Sequence, residues 1–364
     1  MANADIRNLL QQEESGVRKP SFKWYKTMAS KKIIILGIES TAHTFGCGIV
    51  DEYGSILADT RAVYVPEKGG IHPREAAQHH STYGPKVVKE ALLKANISMR
   101  DISAIAIALG PGLGPCLRSG ATIARALAVY FSKPLIPVNH AVAHIEIGKK
   151  LTGAKDPLIV YVSGGNTIIA AFSGGRYRVF GETLDIALGN CLDVFAREIG
   201  LAPPYIVEGL HVVDKCAEKG EEIIDLPYVV KGEDLSYSGL LTAALRKAKE
   251  PGVKLEDLCL SFRENAYNML VEAAERALAH TKKKEVLLTG GVGASPILQE
   301  KLRLMVREHN AELYITPKKY MGDNGVMVAW TGVLLYKSGI TVNVKESFIK
   351  QRWRLDEVDI PWQK

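Results

Sequence analysis

Apolar residues in this chain fall into short runs separated by turns of Gly, Ser, Thr and Asn, and the same order of runs occurs twice. Runs of this length predict strands when they are bounded by such turns. The first set predicts strands over Lys32–Glu39, Thr44–Val50 and Ser55–Val63, joined by Ser40-Thr-Ala-His43 and Asp51-Glu-Tyr-Gly54. A helical stretch over about Pro73–Asn96 follows. Then come an apolar strand, Ile102–Leu109, the segment Gly110-Pro-Gly-Leu-Gly114, and a helix to about Tyr130. The second set opens with strands Leu158–Val162, Thr167–Phe172 and Arg176–Thr183, turning at Ser163-Gly-Gly-Asn166 and Ser173-Gly-Gly175. Several helices follow, then strand Glu285–Leu288, the turn Thr289-Gly-Gly-Val-Gly-Ala-Ser295 and a helix from Pro296. Two copies of one pattern predict two similar α/β lobes.

The length of 364 residues fits two or three domains or lobes. The expected boundaries are a basic extension over 1–30, a first lobe over 31–137 with 326–364 packing on it, and a second lobe over 138–325. Met28 is a candidate native start, which leaves the origin of residues 1–27 open. No apolar run reaches the roughly 18 residues of a membrane span, and the polar N-terminus lacks a signal-peptide core. Five scattered cysteines, none in a Cys-x-x-Cys pair, argue against a disulfide framework and for a reducing cytoplasm. The net charge is +6, but seven cations and three acids fall within residues 1–32, so the body stands near +2. The body's net charge alone makes no case for nucleic acid.

The candidate chemistry starts at His140 and His144. They follow a short apolar strand at a spacing that puts both imidazoles on one helix face. Ala-Val-Ala lies between them, so the Glu of a His-Glu-x-x-His peptidase is missing. Asp323, before a later helix, reads either as an N-cap or as a carboxylate completing a two-His, one-Asp metal set. The turns at Ser163-Gly-Gly-Asn166 and Ser40-Thr-Ala-His43 are candidate anion nests, one in each lobe. Thr289–Ser295 reads equally as a nucleoside-facing turn or a tight strand-to-helix connection. Pro115 spoils a dinucleotide fingerprint in Gly110–Gly114, and no Gly-x4-Gly-Lys-Ser/Thr occurs. His72, His79 and His80 read as surface or packing residues, and Lys282-Lys-Lys284 as a solvated helix end.

Two such lobes resemble the actin-like ATPase (ASKHA) architecture, in which a nucleotide lies in the inter-lobe cleft. A set of ordered motifs narrows the resemblance: Gly37-Ile-Glu-Ser-Thr-Ala-His43, Gly110-Pro-Gly-Leu-Gly-Pro-Cys-Leu-Arg118, Val138-Asn-His-Ala-Val-Ala-His144, Tyr161-Val-Ser-Gly-Gly-Asn-Thr167, Leu188-Gly-Asn-Cys-Leu-Asp193, Ser236-Tyr-Ser-Gly-Leu240 and Met321-Gly-Asp-Asn-Gly325. From about Lys32 onward the chain resembles the tRNA N6-adenosine threonylcarbamoyltransferase family, in its archaeal and eukaryotic branch, the catalytic subunit of the KEOPS complex. The resemblance implies transfer of a threonylcarbamoyl group from threonylcarbamoyl-AMP to the N6 amine of the adenosine beside the anticodon, in tRNAs reading codons that begin with A. It implies His140, His144 and Asp323 as ligands of one divalent transition metal, iron or zinc, with Tyr161 contacting metal and substrate. Val162, Ser163, Gly164 and Gly165 would line the adenylate phosphate, and Asp193 would bind the nucleotide sugar. The implied partners are tRNA, a small atypical protein kinase, a small dimerising subunit and a further accessory subunit.

Two segments depart from the family pattern. Pro203–Asp214 leaves either Asp214 or Glu208 as the nucleoside-contacting acid, and Ser295 stands where the family has a binding Asn. Glu39 and His43, in the first turn, are candidates for substrate orientation or proton transfer. Three rival readings remain: a small-molecule kinase on the same fold, a nucleotide-sensing scaffold and, less favoured, a metallopeptidase.

Overall fold

A computed structural model describes residues 32–66 and 69–363, so the extension read over residues 1–30, and the question of its origin, lie outside the described residues. Residues Ile34–Lys364 form one compact unit.

Strands β1 (Ile34–Glu39), β2 (Thr44–Asp51), β3 (Ile56–Val63), β4 (Ala104–Gly110) and β5 (Leu135–Asn139) form a sheet of order β3-β2-β1-β4-β5. The first three are an antiparallel meander, while β4 and β5 run parallel to β1. Helices α1 (Pro73–Ala95) and α2 (Gly114–Tyr130) contribute Val87, Val88, Ala91, Ala121 and Ala124 to a core with Leu36, Ile38, Ile105 and Ile107. The predicted helix over Pro73–Asn96 thus ends one residue earlier, where Asn96 turns left-handed as its C-cap.

The second sheet repeats the first. Strands β6 (Leu158–Val162), β7 (Thr167–Ser173), β8 (Arg176–Glu182), β13 (Glu285–Thr289) and β14 (Glu312–Ile315) lie in the order β14-β13-β6-β7-β8. Between β8 and β13 come α4 (Leu188–Glu198), a hairpin of β9 (Ile206–Val207) and β10 (Leu210–His211), α5 (Val212–Ala217), a second hairpin of β11 (Val230–Lys231) and β12 (Asp234–Leu235), α6 (Ser238–Lys247) and α7 (Leu255–Thr281). Helix α8 (Pro296–Glu308) follows β13, and Phe195 of α4 stacks on Phe262 of α7 in this lobe's core.

Each lobe then lends a helix to the other. Helix α3 (His140–Thr152) follows β5 but buries Ala141, Val142 and Ile145 against Ile159, Tyr161 and Ala170 of the second sheet. After β14 and the short α9 (Lys318–Met321), helix α10 (Gly325–Lys337) lies on β1 and β2. Glycines face each other there: a Cβ on Gly48 would collide with the backbone of Val326, and one on Gly325 with that of Gly48. This crossing brings the starts of α3 and α10 together. The C-terminal strap, expected on the first lobe, spans both sheets. Val342 bridges to Leu135 of β5, whereas Leu355 and Ile360 pack on the second sheet and Asp359 bridges to Arg176.

His80 of α1 shows what burial does to a packing histidine. Its Nε2 lies 2.9 Å from the Ala42 carbonyl oxygen, and its ring stands edge-on to Phe45. Burial lowers its pKa from 6.5 to about 4. Between those values the unfolded chain binds a proton that the folded chain refuses. Stability should therefore be full above pH 6.5 and decline by roughly 2–3 kcal/mol as pH falls to 4. Urea titrations across that range should show a shallower decline for His80→Phe; an equal decline would place the acid sensitivity elsewhere.

Candidate metal and nucleotide site

The site begins with a helix cap. Asn139, the last residue of β5, accepts hydrogen bonds from the amides of Ala141 and Val142, at 2.9 and 3.2 Å, and so starts α3 at His140. One turn later His144 shares its face, with the two ring centroids 4.7 Å apart and nearly perpendicular. Asp323 meets them from the other lobe. Its Oδ1 lies 3.3 Å from His144 Nε2 and 3.5 Å from His140 Nε2. The cap of α10 is Asn324, whose side chain accepts from the Met327 amide at 2.9 Å. Asp323 is thereby left to face the histidines, and the N-cap reading of that residue falls away.

Behind the cluster, Glu39 is fully buried and both its oxygens are engaged. Oε1 accepts from the Thr41 amide at 2.6 Å, and Oε2 lies 2.9 Å from His140 Nδ1. Thr41 Oγ1 adds a contact to the same nitrogen at 3.2 Å. Burial opposes charge on His140, but Glu39 and Asp323 on either side outweigh it and lift its pKa to about 9. Burial likewise would raise Asp323, yet the two histidines pull its carboxyl well below the usual range. Burial lowers the pKa of His144. The two carboxylates flanking His140 thus favour positive charge at the cluster.

These residues fit a divalent cation. One donor atom from each of His140, His144 and Asp323 lies within 4.8 Å of the others. The outward contact of His140 Nδ1 to a carboxylate is the arrangement that orients a metal-bound imidazole. Glu39→Gln keeps the shape but loses the charged acceptor, so metal affinity should fall about 10- to 100-fold. Metal titration checks this, and an unchanged affinity would remove Glu39 from the site. His43, in the same turn, is partly buried.

Tyr161, at the end of β6, is buried with its ring 5.1 Å from that of His144. Burial and the charge of Asp323 push its phenol well above the ordinary value, so it is a neutral hydroxyl here. It leads into Ser163-Gly-Gly-Asn166, a turn closed by the Ser163 amide on the Asn166 carbonyl at 2.8 Å. A Cβ added to Gly164 or Gly165 would meet no protein atom within 4 Å, so this backbone faces open space. The Gly291–Ala294 turn packs alongside, and Gly290 is held so close to the Val162 carbonyl that a Cβ would collide with it. Ser295 caps α8 and donates to Asp214 Oδ2 at 2.8 Å. Asp214 is buried beside the Tyr267 hydroxyl, and its pKa is raised by that burial. Glu208, the other acid considered, sits exposed at a hairpin tip and pairs with Lys215 at 3.0 Å. Asp193 is partly exposed and lies 3.1 Å from His211 Nε2.

One contributor carried no sequence signal. Arg61 of β3 reaches the carbonyls of Lys319 and Asp323, at 3.3 and 3.4 Å, and tethers the Asp323 loop to the first lobe. Asn166 donates to the Tyr161 hydroxyl at 3.3 Å. The segment Gly110–Gly114 is structural: the Gly112 amide donates to Gln351 and that of Leu113 to Thr41.

Two like lobes that exchange helices over a cleft define the actin-like ATPase class. HypF of T. kodakarensis shares the fold at a TM-score of 0.56 and 14% identity, over 85% of this chain and 48% of that longer one. HypF in a phosphate- and nucleotide-bound form gives 0.57 at 12% identity, over 84% and 56%. Within that class the chain belongs to the tRNA N6-adenosine threonylcarbamoyltransferase family, whose model matches residues 55–330. The proteins of that name from Staphylothermus marinus and Hyperthermus butylicus are 62% and 61% identical to it. The first aligns over 90% of this chain and 99% of its own length, the second over 92% and 93%. The chain is therefore a transferase of tRNA modification. Among the described residues no helix is long and apolar enough to cross a membrane.

Proposed function

We propose that this protein moves the threonylcarbamoyl group of threonylcarbamoyl-AMP to the N6 amine of the anticodon-adjacent adenosine, in tRNAs reading codons that begin with A. The observation that carries the reading is the His140–His144–Asp323 cluster next to the open Gly164–Gly165 turn. In the reaction a bond forms from N6 to the carbonyl carbon. The bond from that carbon to the phosphate oxygen breaks, AMP leaves, and one N6 proton is released. Adenine's amine is a weak nucleophile, so positioning and charge stabilisation must supply the rate.

In this reading His140, His144 and Asp323 hold iron or zinc, with the Tyr161 hydroxyl directed to metal and substrate. The cation when bound supplies Lewis acidity near the carbonyl and the phosphate. The backbone over Val162–Gly165 cradles the phosphate. Asp193 takes the sugar, and Asp214 with Ser295 faces the nucleoside; the burial of Asp214 beside Ser295 supports it over Glu208. Glu39 acts through His140, since neither of its oxygens is free for substrate. His43 remains the candidate for proton transfer. A kinase of this fold would hold magnesium through carboxylates and phosphates, which two imidazoles do not favour.

Companion subunits of a KEOPS-type complex share the tRNA in this proposal: a small atypical kinase, a small dimerising protein and an accessory protein. The body's charge near +2 supports that division. The test is mass spectrometry of tRNA nucleosides after incubation with threonine, bicarbonate, ATP, a threonylcarbamoyl-adenylate synthase and those subunits. Threonylcarbamoyl-adenosine should accumulate, and faster with the subunits than without. Adenylate binding without any modified nucleoside would leave the scaffold reading standing instead.

A further inference from the structure

The donor nucleotide, if it lies along Gly164–Gly165 and Asp214–Ser295, fills one side of β6, and a macromolecular acceptor then needs a second approach to the metal cluster. The structure offers one on the β7–β8 side. There a cleft is lined by Ala141, Asn166, Glu182, Arg352, Trp353 and Arg354. Ala141 follows His140 in the chain, and Asn166 is bonded to the Tyr161 hydroxyl, so two residues of the cleft wall adjoin residues of the metal cluster.

The outer wall of that cleft is the C-terminal strap. Its backbone is turned inward and occupied. The Lys350 amide donates to the Leu109 carbonyl, the Gln351 carbonyl accepts from Gly112, and the Trp353 carbonyl accepts from the Asn139 side chain at 3.2 Å. Asn139 is the cap of the metal-bearing helix, so the strap is fixed directly to the site. Ile349 and Trp353 pack against the first lobe's core, while Phe348, Lys350, Gln351, Arg352 and Arg354 are exposed. Residues 345–354, Lys-Glu-Ser-Phe-Ile-Lys-Gln-Arg-Trp-Arg, hold four cations and one acid, although the body as a whole is near neutrality. Arg354 is paired with Glu182 and Asp356. Arg352 is exposed and pairs with no acid among the described residues, and Lys350 sits 4.6 Å over the Trp353 ring. Phe348 is also exposed. Cations interleaved with aromatic rings match a single-stranded nucleic acid, whose phosphates and bases they bind in alternation.

We infer that the strap is the acceptor-RNA clamp: Lys350 and Arg352 hold phosphates of the anticodon loop, while the target adenine enters the cleft beside Asn166. This rests on the proposed reading of the family's tRNA chemistry and adds to it the surface that receives the RNA. The strap thus concentrates cations on a body of low net charge.

The test uses the full chain, a tRNA anticodon stem-loop as probe, and two charge-matched double variants. Lys350→Glu with Arg352→Glu alters the clamp; Lys282→Glu with Lys284→Glu makes the same charge change at the far end of β13. RNA affinity over a range of salt should fall about tenfold or more in the first pair and less than about twofold in the second. The log–log salt slope of the first should drop by about 1.4, for two phosphate contacts on a single strand. Calorimetry with a nonhydrolysable adenylate should give wild-type affinity in both pairs. Equal losses in the two pairs, or none in the first, would overturn the clamp. So would a loss of adenylate affinity in the first pair, which would assign the cleft to the donor's own carboxylate. If the unaltered protein with its companion subunits modifies no tRNA, the reaction assignment fails separately, whatever the stem-loop binding shows.

Discussion

Changing His140 and His144 together to Ala should remove the bound transition metal and the transferase activity while leaving the protein folded. Two of three protein ligands would be lost. Since loss of an outer partner alone costs about 10- to 100-fold in affinity, loss of two direct ligands should take binding below measurable stoichiometry. The fold should survive because the two sheets hold separate apolar cores of many residues, and the imidazoles touch the second only at Tyr161. The substitution removes the partner of Glu39 Oε2 but leaves Oε1 bonded to the Thr41 amide and Asp323 partly open to water, so the cost falls on stability without disrupting the fold. Asp323→Ala should weaken metal less than the double change, since water can replace one carboxylate oxygen. Elemental analysis paired with circular dichroism is the measurement. Unchanged metal content in a folded double variant would refute the site.

Gly165→Val, and separately Gly164→Val, should abolish adenylate binding without disturbing stability by more than about 1 kcal/mol. The prediction is sharp because of what surrounds these residues. Neither has a left-handed backbone, and an added Cβ meets no protein atom, so the folded chain gives no steric reason to object. A branched side chain would instead occupy the space through which a phosphate reaches the backbone N–H groups. Calorimetry should find no adenylate heat in either variant beside an unshifted thermal midpoint. Wild-type affinity would mean that the turn is only a hairpin. Gly290 makes the useful contrast: a side chain there would strike the Val162 carbonyl, so lost binding in a Gly290 variant would say nothing about phosphate.

Several features of the site were legible in the chain before any coordinates. The spacing of His140 and His144 is a helical period, and the period alone puts both rings on one face. The Gly and Ser content of the turn after Tyr161 similarly announces a backbone that can approach an anion. Asp323 was ambiguous because an Asp before a helix serves as a cap or as a ligand with the same sequence signature. Asn324, one residue on, took the cap, and only the coordinates reveal that exchange. The role of Arg61 had no signal, because an arginine in an edge strand looks like any solvated cation until the loop it tethers is placed. Glu39 reads in the sequence as a candidate for substrate orientation or proton transfer, and the fold engages both its oxygens with the Thr41 amide and His140.

The sequence by itself determined the local elements and their duplication, because strand and helix follow from the period of apolar residues and from the turn residues that interrupt them. With the motif order it also determined the family. What tertiary structure decided is the exchange of α3 and α10 between lobes, which joins residues 179 positions apart in the contact of His144 with Asp323. It also decided the course of the strap, which leaves the first sheet and closes on the second. Such contacts depend on which face of each helix meets which sheet, and on backbones brought close by the small residues at Gly48 and Gly325. No local periodicity encodes that pairing, since it is set by complementary packing between segments far apart in the chain.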